Sequence, residues 1–174
     1  MATVSAFTDN NLDGQGFGYL DQKAKARYAL PLRFTPAVGT TLIATGLVMQ
    51  SPIWLGSAAL VALSGALFPT GMVIDLIYNL GVRHLLQAPP LPPTPRPRRF
   101  SYFLSAGLLA GAALSFRYRR PALGAVLAGS VAIGATILTT TLWCLGSWIY
   151  RVLFESSSPG SCRNSGPVSG RAGG

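Results

Sequence analysis

Long uncharged apolar segments alternate with short charged ones along this chain, and this pattern predicts membrane-spanning helices. No charged residue occurs at positions 34–74, 100–116 or 121–150. An apolar helix of about 20 residues crosses a hydrocarbon core about 30 Å thick. The first segment is too long for one helix and contains Ser51-Pro52, a turn followed by a new helix start. The segments therefore predict spanning helices at about 33–49, 52–70, 100–116 and 121–150.

Residues 72–86 differ from the spanning segments because polar side chains recur along one helical face. Asp75, Asn79 and Arg83 follow one another at intervals of four. The pattern predicts an amphipathic helix in the membrane interface, with these three residues as a polar cluster. In the alternative, this helix continues the second spanning helix and carries Asp75 into the membrane edge. An unpaired charge in lipid is costly, so the neighbouring Asn79 and Arg83 favour the interfacial placement.

A proline-rich segment at 87–99, QAPPLPPTPRPRR, joins the two halves of the chain. Proline fixes φ and removes a backbone donor, so we expect an extended, cytoplasmic hinge here. The predicted fold class is thus an all-α membrane protein: four transmembrane helices form two hairpins, joined by the interfacial helix and the hinge. We expect a flexible N-terminal tail at 1–29, the four-helix domain at 30–154 and a disordered C-terminal tail at 155–174.

Composition and charge support the membrane interpretation. Of all residues, 49% are hydrophobic and 11% charged, whereas about 25% are charged in a typical soluble domain. The net charge of +9 comes from cations at the ends of the apolar segments, which is typical of membrane proteins and argues against nucleic acid as a partner. Most cations flank the N-terminus, hinge and C-terminus, which predicts a cytoplasmic location for both termini. Anionic lipid head groups or a partner are expected to bind Arg83, Arg96, Arg98 and Arg99.

The chain has few residues for catalysis. It contains one histidine and five acidic residues, and we expect no metal, cofactor or catalytic constellation. The chemically distinctive residue is Cys144, within the sequence WCLGSW. It is either a small buried apolar residue or a thiol for redox or sulfur chemistry. The predicted fourth helix places Cys144 near a helix C-terminus, where the helix dipole disfavours a thiolate.

Short motifs resemble those of the domain-of-unknown-function 4395 family of small bacterial integral membrane proteins. They are Leu32-Arg33-Phe34, Gly65-Ala66-Leu67-Phe68, Pro97-Arg98-Arg99-Phe100, Cys144-x-Gly146 and Tyr150. The resemblance covers about residues 30–154 and implies a four-helix unit with no assigned activity. Members typically show Cys-x-Gly-Cys, where this chain has Ser147 in place of the second cysteine. A disulfide within that motif is therefore impossible here, which leaves a single thiol.

These observations predict a small, non-enzymatic protein of the bacterial inner membrane. We expect an accessory or assembly subunit of a larger complex, with lipids and other membrane subunits as partners. The alternative is a thiol-dependent membrane protein that uses Cys144 for redox or sulfur handling. A transporter is a third hypothesis, for which Asp75 and Asn79 are the polar candidates. It is the least favoured, because the spanning segments have no central charge.

Overall fold

The computed structural model describes residues 5–70, 72–85 and 89–154, and this part of the chain is helical, without strands. The all-α fold class is thereby confirmed. The helices are α1 (Ala6–Leu12), α2 (Gln22–Tyr28), α3 (Pro31–Val48), α4 (Pro52–Leu67), α5 (Val73–Ile77), α6 (Arg83–Leu85), α7 (Arg96–Arg117), α8 (Pro121–Thr141) and α9 (Leu145–Phe154). A π-helical turn at Asp13–Phe17 follows α1, and a second one at Tyr78–Val82 joins α5 to α6. The C-terminal segment at 155–174, expected to be disordered, lies outside the described residues.

The main core lies between α3, α4, α7 and α8. Helix α7 packs against α4, α8 and α9, while α3 packs against α4 and α8. Larger apolar side chains from all four helices meet in this core, namely Ile43, Leu55, Leu109 and Val131. The other buried members are alanines, which let the helix backbones approach closely: Ala58, Ala59, Ala112 and Ala128.

Two helices in the described part of the chain, α7 and α8, are long and apolar enough to cross a membrane. The sequence predicts four such helices, so this expectation is met only in part. Helix α4 is apolar but has 16 residues. It ends at Leu67 because Phe68 adopts an extended backbone before Pro69, and a residue that precedes proline disfavours the helical conformation.

The predicted fourth helix, 121–150, is wrong because the chain breaks after Thr141. Leu142 adopts left-handed backbone angles (φ 54°, ψ 24°), and a new helix, α9, begins at Leu145. Tertiary contacts stabilise the break. The Leu142 side chain is buried, and its carbonyl accepts a hydrogen bond from Gln15 Nε2 at 2.6 Å. Asn11 Nδ2 also donates to the Thr141 carbonyl, at 2.8 Å.

The proline-rich hinge is shorter than predicted. Helix α7 begins at Arg96 instead of residue 100, with Pro95 extended at its N-cap. Proline is tolerated in the first turn of a helix because the N–H groups there have no intrahelical partner, so Pro97 does not prevent this start. Residues 89–95 are non-helical and are held to the protein body. Leu91 N donates to Asn79 Oδ1 at 2.9 Å, and Thr94 N donates to the Pro69 carbonyl at 2.9 Å.

The N-terminal region forms helices where the sequence predicts a flexible tail. Leu12 and Phe17 are buried and pack with Leu32 and Leu142. Gly16 allows the turn between them because its φ is 96°, and a Cβ added there would lie 2.7 Å from Pro95 Cβ. The apolar residues of this region are too few and too irregularly spaced to indicate a helix from the sequence. Their burial depends on the body that they contact.

The buried Lys25 of α2 forms partly exposed ion pairs with Asp9 of α1 and with Asp13. Its Nζ donates to Asp9 Oδ1 at 2.6 Å and also to Asp13 Oδ1. Burial lowers the pKa of Lys25, while the hydrogen bonds and negative charges of Asp13 and Asp9 raise it, and the net pKa is raised above the ordinary value of 10.5. A group whose pKa is raised in the folded state contributes its full stabilisation at pH values below its unfolded-state pKa. That stabilisation is lost as the pH rises through the folded-state pKa.

We therefore expect Lys25→Met to destabilise the protein by a constant amount up to about pH 10, and by progressively less above the ordinary lysine pKa. The measurement is chemical unfolding of the purified protein in mild detergent from pH 7 to 12. Lys23→Met is the matched control, because Lys23 is exposed on the same helix. A destabilisation by Lys25→Met that stays unchanged up to pH 12 would contradict the assignment.

Candidate functional site: buried Arg98 and Cys144

Arg98 lies buried at the start of α7, with 4% of its surface exposed. Its Nε donates to Tyr102 Oη at 3.1 Å, one helical turn further on, and its Nη2 donates to the Leu32 carbonyl at 3.4 Å. The guanidinium carbon also lies 6.0 Å from the centroid of the Phe17 ring and 5.8 Å from that of Tyr102. Arginine is suited to such a site, because its planar cation donates several hydrogen bonds and stacks on aromatic rings.

Asp75 supplies a buried negative charge near Arg98. It is 8% exposed, and its Oδ1 accepts a hydrogen bond from Thr35 Oγ1. Within the described residues, Arg98 and Asp75 form no direct ion pair, but the two charges interact electrostatically. The low dielectric of the interior strengthens this attraction across the intervening distance. The two charges therefore partly compensate each other's burial.

Cys144 lies at the N-terminal end of α9, in the same part of the protein as Arg98. Its carbonyl accepts the hydrogen bond from Trp148 N at 3.0 Å, so α9 starts directly after it. The sulfur is buried, with 7% of the residue exposed, and donates to Ser101 Oγ at 3.1 Å. The sequence predicts a helix C-terminus here, and that expectation is wrong because of the break at Leu142. Cys144 instead lies at the partially positive end of a helix dipole.

Gly146 allows α9 to approach α7 closely at this point. A Cβ added to Gly146 would lie 2.6 Å from Ser101 Oγ and 2.8 Å from Ser101 Cα. Ser147 follows in the first turn of α9 and is 1% exposed. Its hydroxyl has no hydrogen-bond partner in the part of the chain that the structure describes. The first turn of α9 is thus packed against α7 with little room for larger side chains.

A cavity of about 160 Å³ opens between α3, α4, α7 and α8 and reaches Cys144. Most of its lining is apolar or glycine, and Ser101, which contacts Cys144, is one of its polar residues. The others are Thr35, Tyr102, Ser105 and Ser130. Leu104 of α7 and Leu145 of α9 line the cavity and are also 40% and 49% exposed, so the cavity wall reaches the outer surface at these two residues.

The polar cluster predicted from Asp75, Asn79 and Arg83 is not formed. Asp75 points to Thr35, Asn79 accepts from the hinge backbone, and Arg83 Nε donates to His84 Nε2 at 3.3 Å. The π-helical turn at Tyr78–Val82 contains Asn79 and separates Asp75 from Arg83. It changes the helical repeat, so a spacing of four no longer keeps the three residues on one face.

The four arginines expected at the surface occupy different environments. Arg96 is exposed and Arg83 is half-buried, whereas Arg98 is buried. Arg99 Nε donates to the Ala66 carbonyl at 2.9 Å, and its Nη2 donates to the Leu67 carbonyl at 3.0 Å. Arg99 therefore caps the C-terminal end of α4, which favours cations.

Several residues of the site give no recognisable signal in the sequence. Thr35, Ser101 and Tyr102 lie in apolar segments, where hydroxyl side chains commonly bond to their own helix backbone. An arginine next to prolines is equally ordinary in a basic loop. Within the described residues, no group of three or more His, Cys, Asp or Glu side chains could hold a metal ion.

The fold and the site define an all-helical protein in which a buried cysteine borders a cavity between apolar helices. A family model described as "Domain of unknown function (DUF4395)" matches residues 30–154, and the chain belongs to this family. The match confirms the resemblance seen in the sequence motifs. No curated protein and no solved structure matches the chain. The family description assigns no activity, so function has to be argued from the site.

Proposed function

We propose that this protein is a thiol-dependent integral membrane protein whose reactive group is Cys144. One observation carries the proposal: the sulfur lies where a helix N-terminus, a buried arginine and a cavity meet. The N-terminus of α9 carries a partial positive charge beside Cys144, and Arg98 interacts electrostatically with Cys144. The cavity provides space for a reaction partner next to it.

The exposed apolar surface supports the membrane location. In α7 and α8, only 28% and 22% of the apolar window is buried inside the protein. A core helix of a soluble protein would be mostly buried, so these surfaces suit contact with lipid. Large exposed side chains such as Leu60, Phe103 and Val126 continue this surface around the helices.

We extend the proposal to four spans, because α3 and α4 pack against the two candidate helices. The 16 residues of α4 measure about 24 Å, which is less than the hydrocarbon thickness of about 30 Å. Local thinning of the bilayer accommodates such a difference. The distribution of cations supports a bacterial inner membrane location with both termini cytoplasmic.

The chemistry that suits a single thiol is exchange with a sulfur–sulfur bond. In the deprotonated state, the Cys144 sulfur attacks the outer sulfur of a persulfide, R–S–SH. The sulfur–sulfur bond breaks, the donor leaves as a thiolate, and the proton released by Cys144 returns to the donor as R–SH. Cys144 becomes a persulfide without any external oxidant. Attack on a disulfide gives a mixed disulfide in the same way.

Intact-mass analysis of protein purified from native membranes tests this proposal. The sequence contains a second cysteine, Cys162. Tagged Cys162→Ser protein is expressed at native level, so that the signal reports on Cys144, and Cys144→Ser serves as the matched control. We expect a fraction of Cys144 to carry added sulfur or a mixed disulfide that a reductant removes. An unmodified thiol under all growth conditions, together with wild-type growth of the Cys144→Ser strain, would overturn the proposal.

The accessory-subunit hypothesis remains a prediction. Exposed apolar helix faces suit a partner subunit, but lipid covers such faces equally well. The same purification separates the two functions. A stoichiometric protein partner with an unmodified Cys144 would favour the accessory subunit over the thiol-dependent protein.

A further inference from the structure

The cavity beside Cys144 has the size and chemistry of a small-ligand site. Its volume is about 160 Å³, and an apolar cavity of about 150 Å³ is known to bind one benzene molecule. Ligand sites are typically concave and mostly apolar, with a few polar groups that orient the ligand. Here, the polar groups include Ser101, which contacts Cys144, and Ser105, one helical turn further along α7.

Two serines of α7 distinguish this wall from ordinary helix packing. The other serine and threonine side chains of α7 and α8 donate to carbonyls of their own helix, as Ser115 does to Gly111 and Thr136 does to Ala132. Ser101 accepts a hydrogen bond from Cys144, and its own proton has no acceptor among the described residues. The Ser105 hydroxyl, one turn further along, makes no hydrogen bond within the described part of the chain. Both donors line the cavity and are available to an acceptor.

The N-terminal region covers the break between α8 and α9, next to Cys144 in the sequence. Gln15 and Asn11 bind the carbonyls of Leu142 and Thr141, and Phe17 packs against the Leu142 side chain. The cavity instead reaches the surface at the exposed Leu104 and Leu145. In the proposed membrane orientation, this opening faces lipid.

We propose that the cavity binds an uncharged, membrane-soluble molecule of about one aromatic ring, with a hydrogen-bond acceptor directed at Ser101 and Ser105. This inference rests on the proposed function, because it names the class of molecule that reaches the Cys144 thiol. The ligand enters from the lipid phase, and charged molecules from water do not reach the sulfur.

Thiol labelling in phosphatidylcholine vesicles tests the route of entry. The Cys162→Ser protein is treated with N-phenylmaleimide, which is uncharged and carries one ring, or with a trimethylammonium methanethiosulfonate. Rates are normalised to those on protein denatured in dodecyl sulfate. We expect the uncharged reagent to be favoured by about 100-fold, because a fixed charge is costly in hydrocarbon. Equal normalised rates would overturn the inference.

Competition tests the acceptor. Acetophenone carries a ring and a carbonyl, whereas ethylbenzene lacks the acceptor. We expect acetophenone to slow N-phenylmaleimide labelling at a concentration about five-fold lower than ethylbenzene, as for one net hydrogen bond. The Ser101→Ala/Ser105→Ala variant should lose this preference, while Ser115→Ala keeps it because Ser115 donates to Gly111 and lies outside the cavity. Equal protection by both compounds would overturn the inference.

Filling the cavity gives an independent test. A Cβ added to Gly134 or Gly129 of α8 meets no atom within 4 Å, but only Gly134 lines the cavity. We expect Gly134→Leu to slow N-phenylmaleimide labelling by about ten-fold or more, because the leucine side chain fills the space in which the ring of the reagent binds. Gly129→Leu should leave the labelling rate unchanged. If a lipid chain already fills the cavity, neither acetophenone nor ethylbenzene protects Cys144 from labelling, and Gly134→Leu has no effect on the rate. That result would overturn the inference. If acetophenone protects Cys144 as expected but Cys144 is unmodified in native membranes, the proposed function is overturned and the ligand site in the cavity stands.

Discussion

Replacing Arg98 by methionine is expected to lower the free energy of unfolding by about 1.5–3 kcal/mol, the range for hydrogen bonds made by a charged group. The substitution removes the hydrogen bonds to Tyr102 and Leu32 and leaves Asp75 buried without a compensating cation. Unfolding of the purified protein in mixed detergent micelles, followed by circular dichroism, measures the loss. Arg96→Met is the matched control, because Arg96 is exposed two residues earlier; we expect a change within about 0.5 kcal/mol.

A second variant separates the charge effect from the loss of side-chain packing. If the removal of Arg98 destabilises the buried Asp75, the double variant Arg98→Met/Asp75→Asn should lose less free energy of unfolding than the two single variants lose in sum. A recovery of about 1 kcal/mol or more is expected for coupled neighbours. Strict additivity, or an Arg98→Met variant as stable as Arg96→Met, would show that the two buried charges do not compensate each other.

Replacing Gly146 by alanine is expected to separate α9 from α7 and to lower the free energy of unfolding by about 1–3 kcal/mol, as overpacking in a tight core does. The added Cβ would lie 2.6 Å from Ser101 Oγ and 2.8 Å from Ser101 Cα, and the backbone atom cannot rotate away. The same displacement should lengthen the contact between Cys144 and Ser101. Labelling of Cys144 by N-phenylmaleimide should therefore become faster.

Gly129→Ala is the matched control for this substitution. Gly129 also lies within a helix, and a Cβ there meets no atom within 4 Å. Alanine favours helix over glycine by about 1 kcal/mol, so this variant should be as stable as the wild type or more so. A Gly146→Ala protein with wild-type stability and an unchanged labelling rate would show that α9 adjusts its position without cost.

Local signals in the sequence predicted much of the helical framework. The apolar segments follow from the absence of charge over long stretches, which needs no knowledge of the partners of a helix. The start of α4 follows equally from Ser51 and Pro52: Ser51 Oγ accepts from Trp54 N at 3.3 Å, as a helix N-cap does. Short motifs also sufficed to identify the family. These features depend on neighbours within a few residues along the chain.

The site was predicted poorly, because its residues come from distant parts of the sequence. Arg98 belongs to a run of prolines and arginines that is typical of an exposed loop, and its burial depends on Leu32 and Phe17. Cys144 was assigned to a helix C-terminus, because neither glycine nor proline marks the break at Leu142. The break needs Gln15, located 127 residues away, to bind its carbonyl.

The sequence by itself determined that this chain is helical, apolar, and a member of its family, because composition and short motifs specify these properties locally. The tertiary structure decided that Cys144 begins a helix beside Arg98 and a cavity. The N-terminal region supplies hydrogen bonds and apolar contacts that stabilise an otherwise unfavourable left-handed residue at Leu142. Interactions of this kind depend on three-dimensional proximity, which spacing along the chain does not reveal.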